Sequence, residues 1–346
     1  MNETTQIKKK PKIKKLTILF ICLDLCALIC FFIVYGPWDY FRNLYVTTAM
    51  QTRNHQYLAK VFYSDERIEK IMNNNYFVAV EEEVDLNNIV INTEEKTKYK
   101  DEYEEELLTR DPGNDLYKVL NVKVGNAKGY LVAIYDPTKV RLLRTKRFNA
   151  GTAGERVKDM CKRYNGSVCI NGGGFANGYE NGSDIPSGYV IDDGKVVWPL
   201  QKSQTKGNII GITNDGKLTL MSKTTGSEAV AAGVKYGLEF GPFLIINGKS
   251  AKIVGMPYGV ANKCVIAQRQ DGVMMFLITE GETYIDGASL KDVVKVLEKY
   301  GAYNAANLDG GQSTSLVINN ELFNSPNHLA KKQGGRYVVT GWGLIP

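Results

Sequence analysis

Cys264-Val-Ile-Ala-Gln-Arg-Gln-Asp271-Gly272-Val-Met-Met-Phe-Leu-Ile-Thr-Glu280 sets an Asp-Gly pair between two apolar runs. Asp-Gly so placed is the strongest short-range signal for a β-hairpin, because both residues tolerate the positive φ of a type I′ turn. Asp193-Gly194, Asp215-Gly216 and Asn247-Gly248 repeat the pattern. Gly129–Tyr135 and Val140–Thr145 predict a further pair across Asp136-Pro137. Two amphipathic helices interrupt the strands. In Ser289–Tyr300 the apolar set Leu290, Val293, Val294, Leu297, Tyr300 follows helical spacing, with Ser289 as N-cap, Asp292 at N3 and Gly301 at C′. A second helix, near 155–164, places Val157, Met160, Cys161 and Tyr164 on one face. Many antiparallel hairpins with a few packed helices read as an α+β fold.

Outward from this domain the charge pattern divides the chain. Residues 1–15 hold six lysines against Glu3, 81–111 hold twelve acids against four bases, and 112–346 hold 28 bases against 19 acids. Residues 1–15 are expected to be a basic cytoplasmic tail and 16–35 a transmembrane anchor. Residues 36–115 are expected to be an extracytoplasmic stalk, acidic in its second half, and 116–346 the hairpin domain, entered through the turn cluster Asp111-Pro112-Gly113-Asn114. Leu16–Tyr35 is apolar over the length that crosses a bilayer and thus contacts membrane lipid. Lysines before it and the aromatic belt of Tyr35, Trp38, Tyr40 and Phe41 after it predict a single pass through the plasma membrane, with the N-terminus cytoplasmic and the C-terminal domain extracellular. A cleaved signal peptide also opens with a basic region, but here bulky Phe-Phe-Ile-Val-Tyr stands where a small-residue cleavage site belongs. Asp24 lies mid-span, either facing a partner helix or tolerated as a single polar residue. Cys22, Cys26 and Cys30 share one helical face. Cys161, Cys169 and Cys264 match no zinc spacing and allow at most one disulfide and a free thiol.

Two glycine-rich segments each follow an apolar strand: Asn171-Gly172-Gly173-Gly174-Phe175 and Asn307-Leu308-Asp309-Gly310-Gly311-Gln312-Ser313-Thr314. Glycines at a strand end permit positive φ and let backbone N–H groups approach an anion, although tight turns use them as well. Other chemistries lack material. The two histidines, His55 in the stalk and His328 in a surface loop, cannot furnish a Ser-His-Asp triad or a histidine zinc site. Gly248-Lys249-Ser250 ends like a P-loop, but Phe243 stands where the upstream glycine belongs. Nucleic acid is not an expected partner, since only net charge speaks for it.

Residues from about 116 onward resemble the phosphodiester glycosidase family, whose members include the uncovering enzyme of the mannose 6-phosphate tag and bacterial exopolysaccharide-associated proteins. The resemblance is carried, in order, by Ile170–Phe175, Ile185-Pro186-Ser187-Gly188, Gly241-Pro242-Phe243-Leu244, Gln268–Gly272, Glu280-Gly281, the helix from Leu290, Asn307–Thr314, Asn324 and Arg336. One departure is Asn262-Lys263-Cys264, where the family has Pro-Arg-Thr; lysine lacks the bidentate fork of arginine. Another is Gln312 in place of a third glycine.

The resemblance implies hydrolysis of a sugar-1-phosphodiester, N-acetylglucosamine-linked in some members, within a cell-envelope glycan. A phosphate monoester leaves readily, so one carboxylate and a phosphate cradle suffice where ordinary glycosidases need two opposed carboxyls. Asp309 is the first candidate for that carboxylate and Glu280 the second. Lys263 and Arg336, with backbone N–H groups of Gly172, Gly173, Gly174, Gly310 and Gly311, are candidates for the phosphate. Asn171, Ser313 and Thr314 suit sugar hydroxyls or phosphate oxygens. No cofactor is required, although Asp309 and Glu280 would also suit calcium. Two other readings stay open: an anionic-glycan-binding protein of exopolysaccharide assembly, and a glycosyl or phosphoglycosyl transferase.

Overall fold

The computed structural model describes residues 15–52, 55–176, 183–199, 201, 203–281, 286–326 and 332–346. It divides into two compact units, Met1–Met72 and Asn73–Pro346.

In the first unit, helix α1 (Lys15–Tyr35) is long and apolar enough to cross a membrane, and none of its apolar stretch is buried within the protein. Three short helices follow: α2 (Asp39–Met50), α3 (Gln56–Phe62) and α4 (Asp65–Asn73). Val46, Ala49, Ala59, Tyr63, Ile68 and Ile71 form their core.

The second unit is built on three larger sheets, all of whose strand pairs are antiparallel. The seven-stranded sheet runs, edge to edge, Lys249–Ser250, Phe243–Ile246, Ala302–Asn307, Cys264–Arg269, Met274–Glu280, Ala127–Ile134 and Tyr117–Val124. A five-stranded sheet runs Leu218–Thr224, Gly207–Thr213, Val234–Glu239, Val190–Asp192, Lys195–Trp198. The other five-stranded sheet runs Glu321–Leu322, Leu316–Ile318, Val168–Asn171, Thr340–Leu344, Val140–Arg144. One face of each sheet turns into a common core, where Phe276, Leu238, Ile170 and Trp342 meet. Full burial of each such side chain is worth about 1.5–3 kcal/mol, so this shared core is the main favourable term of the fold.

The outer faces carry the helices. Helix α5 (Glu102–Leu108) buries Leu107 and Leu108 against the back of the seven-stranded sheet, beside α8 (Leu290–Lys299). Helix α6 (Val157–Arg163) covers the sheet of Ile170, and α7 (Gly226–Ala231) that of Ile209. The Ser289 side chain caps α8 in a capping box with Asp292, and Gly301 follows at φ 74°, as the spacing predicts. All four Asp-Gly and Asn-Gly turns close hairpins.

The pair expected across Asp136-Pro137 does not form. Ala127–Ile134 pairs with Tyr117–Val124 and Met274–Glu280, whereas Val140–Arg144 pairs with Thr340–Leu344 in another sheet. The Asp136 side chain caps a short 3₁₀ turn at Pro137–Lys139, which carries the chain from one sheet to the next instead of reversing it. A disulfide joins Cys161 of α6 to Cys169, on the strand leading into the first glycine segment, while Cys264 is a buried free thiol.

Residues 73–115, read above as part of a stalk, pack with the β-sheet unit. Tyr76–Val78 pairs with Lys252–Val254, and the Val90 and Asn92 N–H groups donate to the Gln270 and Asp271 carbonyls. The acidic charge is met rather than solvated at Glu104, which accepts from Arg269 at 2.6 Å and Lys96 at 3.0 Å. Arg269 also bonds Asp271 and the Tyr300 carbonyl. Burial raises the Glu104 pKa, but the Lys100 N–H, Lys96 and Arg269 outweigh it and hold the carboxyl at about 2.

A depressed carboxyl stabilises the fold above its unfolded value of 4.5, and that contribution disappears as pH falls toward 2. Glu104→Gln is therefore expected to cost on the order of 1–3 kcal/mol at pH 7. The difference from the parent should shrink as pH falls from 4.5 toward 2, read by urea denaturation at each pH. An unchanged difference across that window would remove the ion pair from the account.

Candidate functional site

The two glycine segments leave neighbouring sheets and meet where those sheets converge. The Asp309 N–H donates to the Gly172 carbonyl at 3.0 Å. Asn171, fully buried, donates through Nδ2 to the Asp309 carbonyl at 2.6 Å and accepts at Oδ1 from the Ser315 N–H at 3.0 Å. Asn324, equally buried, accepts from the Leu316 N–H and donates to the Thr314 carbonyl. Two asparagine side chains thus act as surrogate strand partners for the loop 309–316. Asn171, expected to touch substrate, has its amide engaged in holding that loop.

The glycines serve close packing more than anion binding. A Cβ on Gly172 would lie 2.7 Å from Thr340 Oγ1 and 2.9 Å from a Leu238 methyl. One on Gly174 would lie 3.1 Å from the Phe240 ring, and one on Gly310 only 2.5 Å from the Asn262 carbonyl oxygen. Of these segments' glycines, Gly311 alone takes a positive φ, 60°. Three of the expected anion-binding N–H groups are spent inside the fold: Gly172 and Gly173 donate to the carbonyl and hydroxyl of Thr340, and Gly311 to the Asn262 carbonyl. Thr340 was not foreseen, because one threonine in an apolar strand carries no local signal.

Side chains dominate the remaining surface. Asp309 is half-buried, and its charge adds to burial in pushing the Cys264 thiol well up, so that thiol stays protonated. Arg336 stacks 5.0 Å over the Phe175 ring and reaches the buried Ser313 hydroxyl at 3.4 Å, bridging both segments. Among the described residues Arg336 makes no ion pair. Asn307 Oδ1 and Thr314 Oγ1 are buried without a hydrogen-bond partner among the described residues. Leaving such an atom unpaired costs about 1–3 kcal/mol.

The other two candidates have partners of their own. The backbone of Lys263 borders Gly310, but its ammonium donates to the Tyr258 and Gly259 carbonyls at 3.0 and 3.3 Å. Burial pulls its pKa down to about 8. The Glu280 carboxylate accepts from Tyr130 at 3.0 Å, Lys128 at 3.2 Å and the Ser325 N–H at 2.5 Å. It holds the 323–326 loop, whose next anchor is the Asn262 amide on the Pro326 carbonyl. Among the described residues no group of three or more His, Cys, Asp or Glu could hold a metal ion. His328 lies outside the described residues.

The model of the phosphodiester glycosidase family matches residues 164–345, more than half of the chain. The zebrafish N-acetylglucosamine-1-phosphodiester α-N-acetylglucosaminidase catalytic domain, auto-inhibited by its pro-peptide, superposes with a TM-score of 0.52 at 20% identity, covering 66% of this chain and 82% of that one. A hypothetical protein from Synechocystis gives 0.43 at 18% identity, covering 66% of this chain and 61% of that one. At 20% identity the likeness to the zebrafish domain is one of fold alone. No curated protein matches by sequence.

The glycine geometry ranks two neighbouring substitutions. Gly311→Ala meets open space and bears only the positive φ, a cost of roughly 1–2 kcal/mol. Gly310→Ala must displace the Asn262 backbone and is expected to cost more, roughly 2–4 kcal/mol. Thermal unfolding of the two variants side by side reads the order; the reverse order would contradict the close approach described.

Proposed function

The chain belongs to the phosphodiester glycosidase family, and from this we propose that it hydrolyses a sugar-1-phosphodiester, with Asp309 as the catalytic carboxylate. The observation that carries the reading is the joining of the two glycine segments around Asp309, with Arg336 spanning both. N-acetylglucosamine is the sugar we favour, by likeness to the zebrafish enzyme, and a cell-envelope or exopolysaccharide polymer the source of the phosphodiester.

In the proposed step a water oxygen bonds to the anomeric carbon while its proton passes to the Asp309 carboxylate. The bond from the anomeric carbon to the bridging phosphate oxygen breaks, and its electron pair leaves with the phosphate monoester. Arg336 and the Ser313 hydroxyl hold the phosphate, the guanidinium supplying a planar fork that a lysine lacks. Gly174 and Gly310 remain candidates for backbone N–H contacts to the phosphate. We assign Lys263 and Glu280 to positioning, the first under the 258–259 turn and the second under the 323–326 loop. Calcium is not needed for this step.

For location, we propose that α1 is an uncleaved anchor with the lysine-rich N-terminus in the cytoplasm and the catalytic unit outside. The Cys161–Cys169 disulfide supports an oxidising, extracytoplasmic setting. Asp24 is then the point at which a partner helix would pair.

The commitment of Lys263 to backbone carbonyls, where the family has arginine, favours one second reading: a domain that binds anionic glycan without cleaving it. A panel of sugar-1-phosphodiesters with the full chain separates the two. We expect free sugar release, a loss of at least 100-fold in Asp309→Asn, and a KM raised at least 10-fold in Arg336→Lys. Tight binding with no released sugar would select the binding reading, and products longer than the donor would select a transferase.

A further inference from the structure

Six large apolar side chains stand exposed within residues 36–72: Trp38, Tyr40, Phe41, Tyr57, Val61 and Phe62. The much larger second unit exposes five among its described residues, and these are scattered. Single exposed apolar residues need no explanation, but a concentration of them marks a surface that meets something other than water. The core of this helical unit is filled by Val46, Ala49, Ala59, Tyr63, Ile68 and Ile71, so the outer residues are not left over from its packing.

Their location identifies the occupant. The Tyr35 hydroxyl, at the end of α1, donates to the Phe62 carbonyl at 3.2 Å, and the Tyr63 hydroxyl donates to the Val34 carbonyl at 2.8 Å. Arg42 of α2 donates to the Gly36 carbonyl at 2.9 Å. The end of α3 is therefore tied to the last turn of the apolar helix, and α2 to the residue that follows it. If α1 spans a bilayer, that turn lies where hydrocarbon gives way to headgroups. Tyr57 and Val61 are four residues apart on α3 and share its exposed face, while Trp38, Tyr40 and Phe41 lead into and open α2. Tryptophan and tyrosine, with an apolar body and one polar atom, are the side chains that favour this depth.

We propose that residues 36–72 form a platform seated in the headgroup region of the membrane that α1 crosses, with Tyr57 and Val61 of α3 dipping into it beside the Trp38–Phe41 belt. The inference rests on the reading of α1 as a span. It gives the anchor a second, broad contact with lipid, so that residues 36–72 lie on the membrane rather than extending away from it as a stalk.

The test uses the full chain in phosphatidylcholine vesicles, with Val61→Trp compared to Glu69→Trp on the exposed surface of α4. Lipids brominated near the headgroup should quench the added fluorescence of Val61→Trp at least twofold more than that of Glu69→Trp, and aqueous acrylamide should do the opposite. Equal quenching of both variants by acrylamide, with neither quenched by lipid, overturns the platform while leaving the span. Shielding of Val61→Trp that lipid does not cause, and that disappears on dilution into excess lipid, marks a second copy of the chain as occupant and also overturns it. Carbonate extraction and intact mass of the same sample check the span itself. Release from the vesicles, or a mass lacking the residues before 36, overturns the span and the platform together.

Discussion

One buried amide joins the two halves of the site. Asn171 ends a strand of one sheet, and its side chain holds the Asp309 carbonyl and the Ser315 N–H, which follow a strand of another. Without it, the buried Ser315 N–H would lose its partner at a cost of about 1–3 kcal/mol, and the part-buried Asp309 carbonyl would lose its own. A side chain of the wrong length would leave them no nearer to water. Because the bonds join uncharged groups, they are insensitive to salt and pH, and the position of Asp309 is set by the convergence of the sheets. Everything proposed about catalysis depends on that placement.

The glycines around this joint illustrate how one composition serves two purposes. Gly172 and Gly310 are small because other backbone and side-chain atoms occupy the space a Cβ would need. Gly311 instead turns the chain. With the Gly172, Gly173 and Gly311 N–H groups engaged internally, positive charge at the site comes from Arg336, which is stacked on Phe175 and therefore pre-oriented. A guanidinium held over a ring loses little freedom when it takes a phosphate, which favours it over the buried and internally committed Lys263.

What could be read from the sequence was local. Asp-Gly and Asn-Gly turns, the Ser289 capping box and the apolar spacing of Leu290–Tyr300 each state their structure within a dozen residues, and the α+β fold follows from them. Asn171 and Asp309 stood out as polar residues at strand ends beside glycines, but that Asn171 would hold the loop of Asp309 depended on a partner 138 residues away. The same distance problem hid the Glu104–Arg269 pair, 165 residues apart, so a packed acidic helix read as a solvated stalk. The Asp136-Pro137 turn shows the same problem: its residues suit a reversal, and only pairing with Thr340–Leu344, about 200 residues on, carries Val140–Arg144 to the edge of another sheet. Glu280 has the sequence signal of a strand-end carboxylate; its partners Tyr130, Lys128 and Ser325 come from other elements and carry no local sign.

In the proposed reaction water attacks the anomeric carbon and the phosphate departs with its oxygens intact. Turnover of a sugar-1-phosphodiester in ¹⁸O-labelled water, with both products analysed by mass, reads which bond breaks. One heavy oxygen is expected in the released sugar and none in the phosphate monoester. Label in the phosphate would show cleavage at phosphorus, and would contradict the roles given to Asp309 and Arg336.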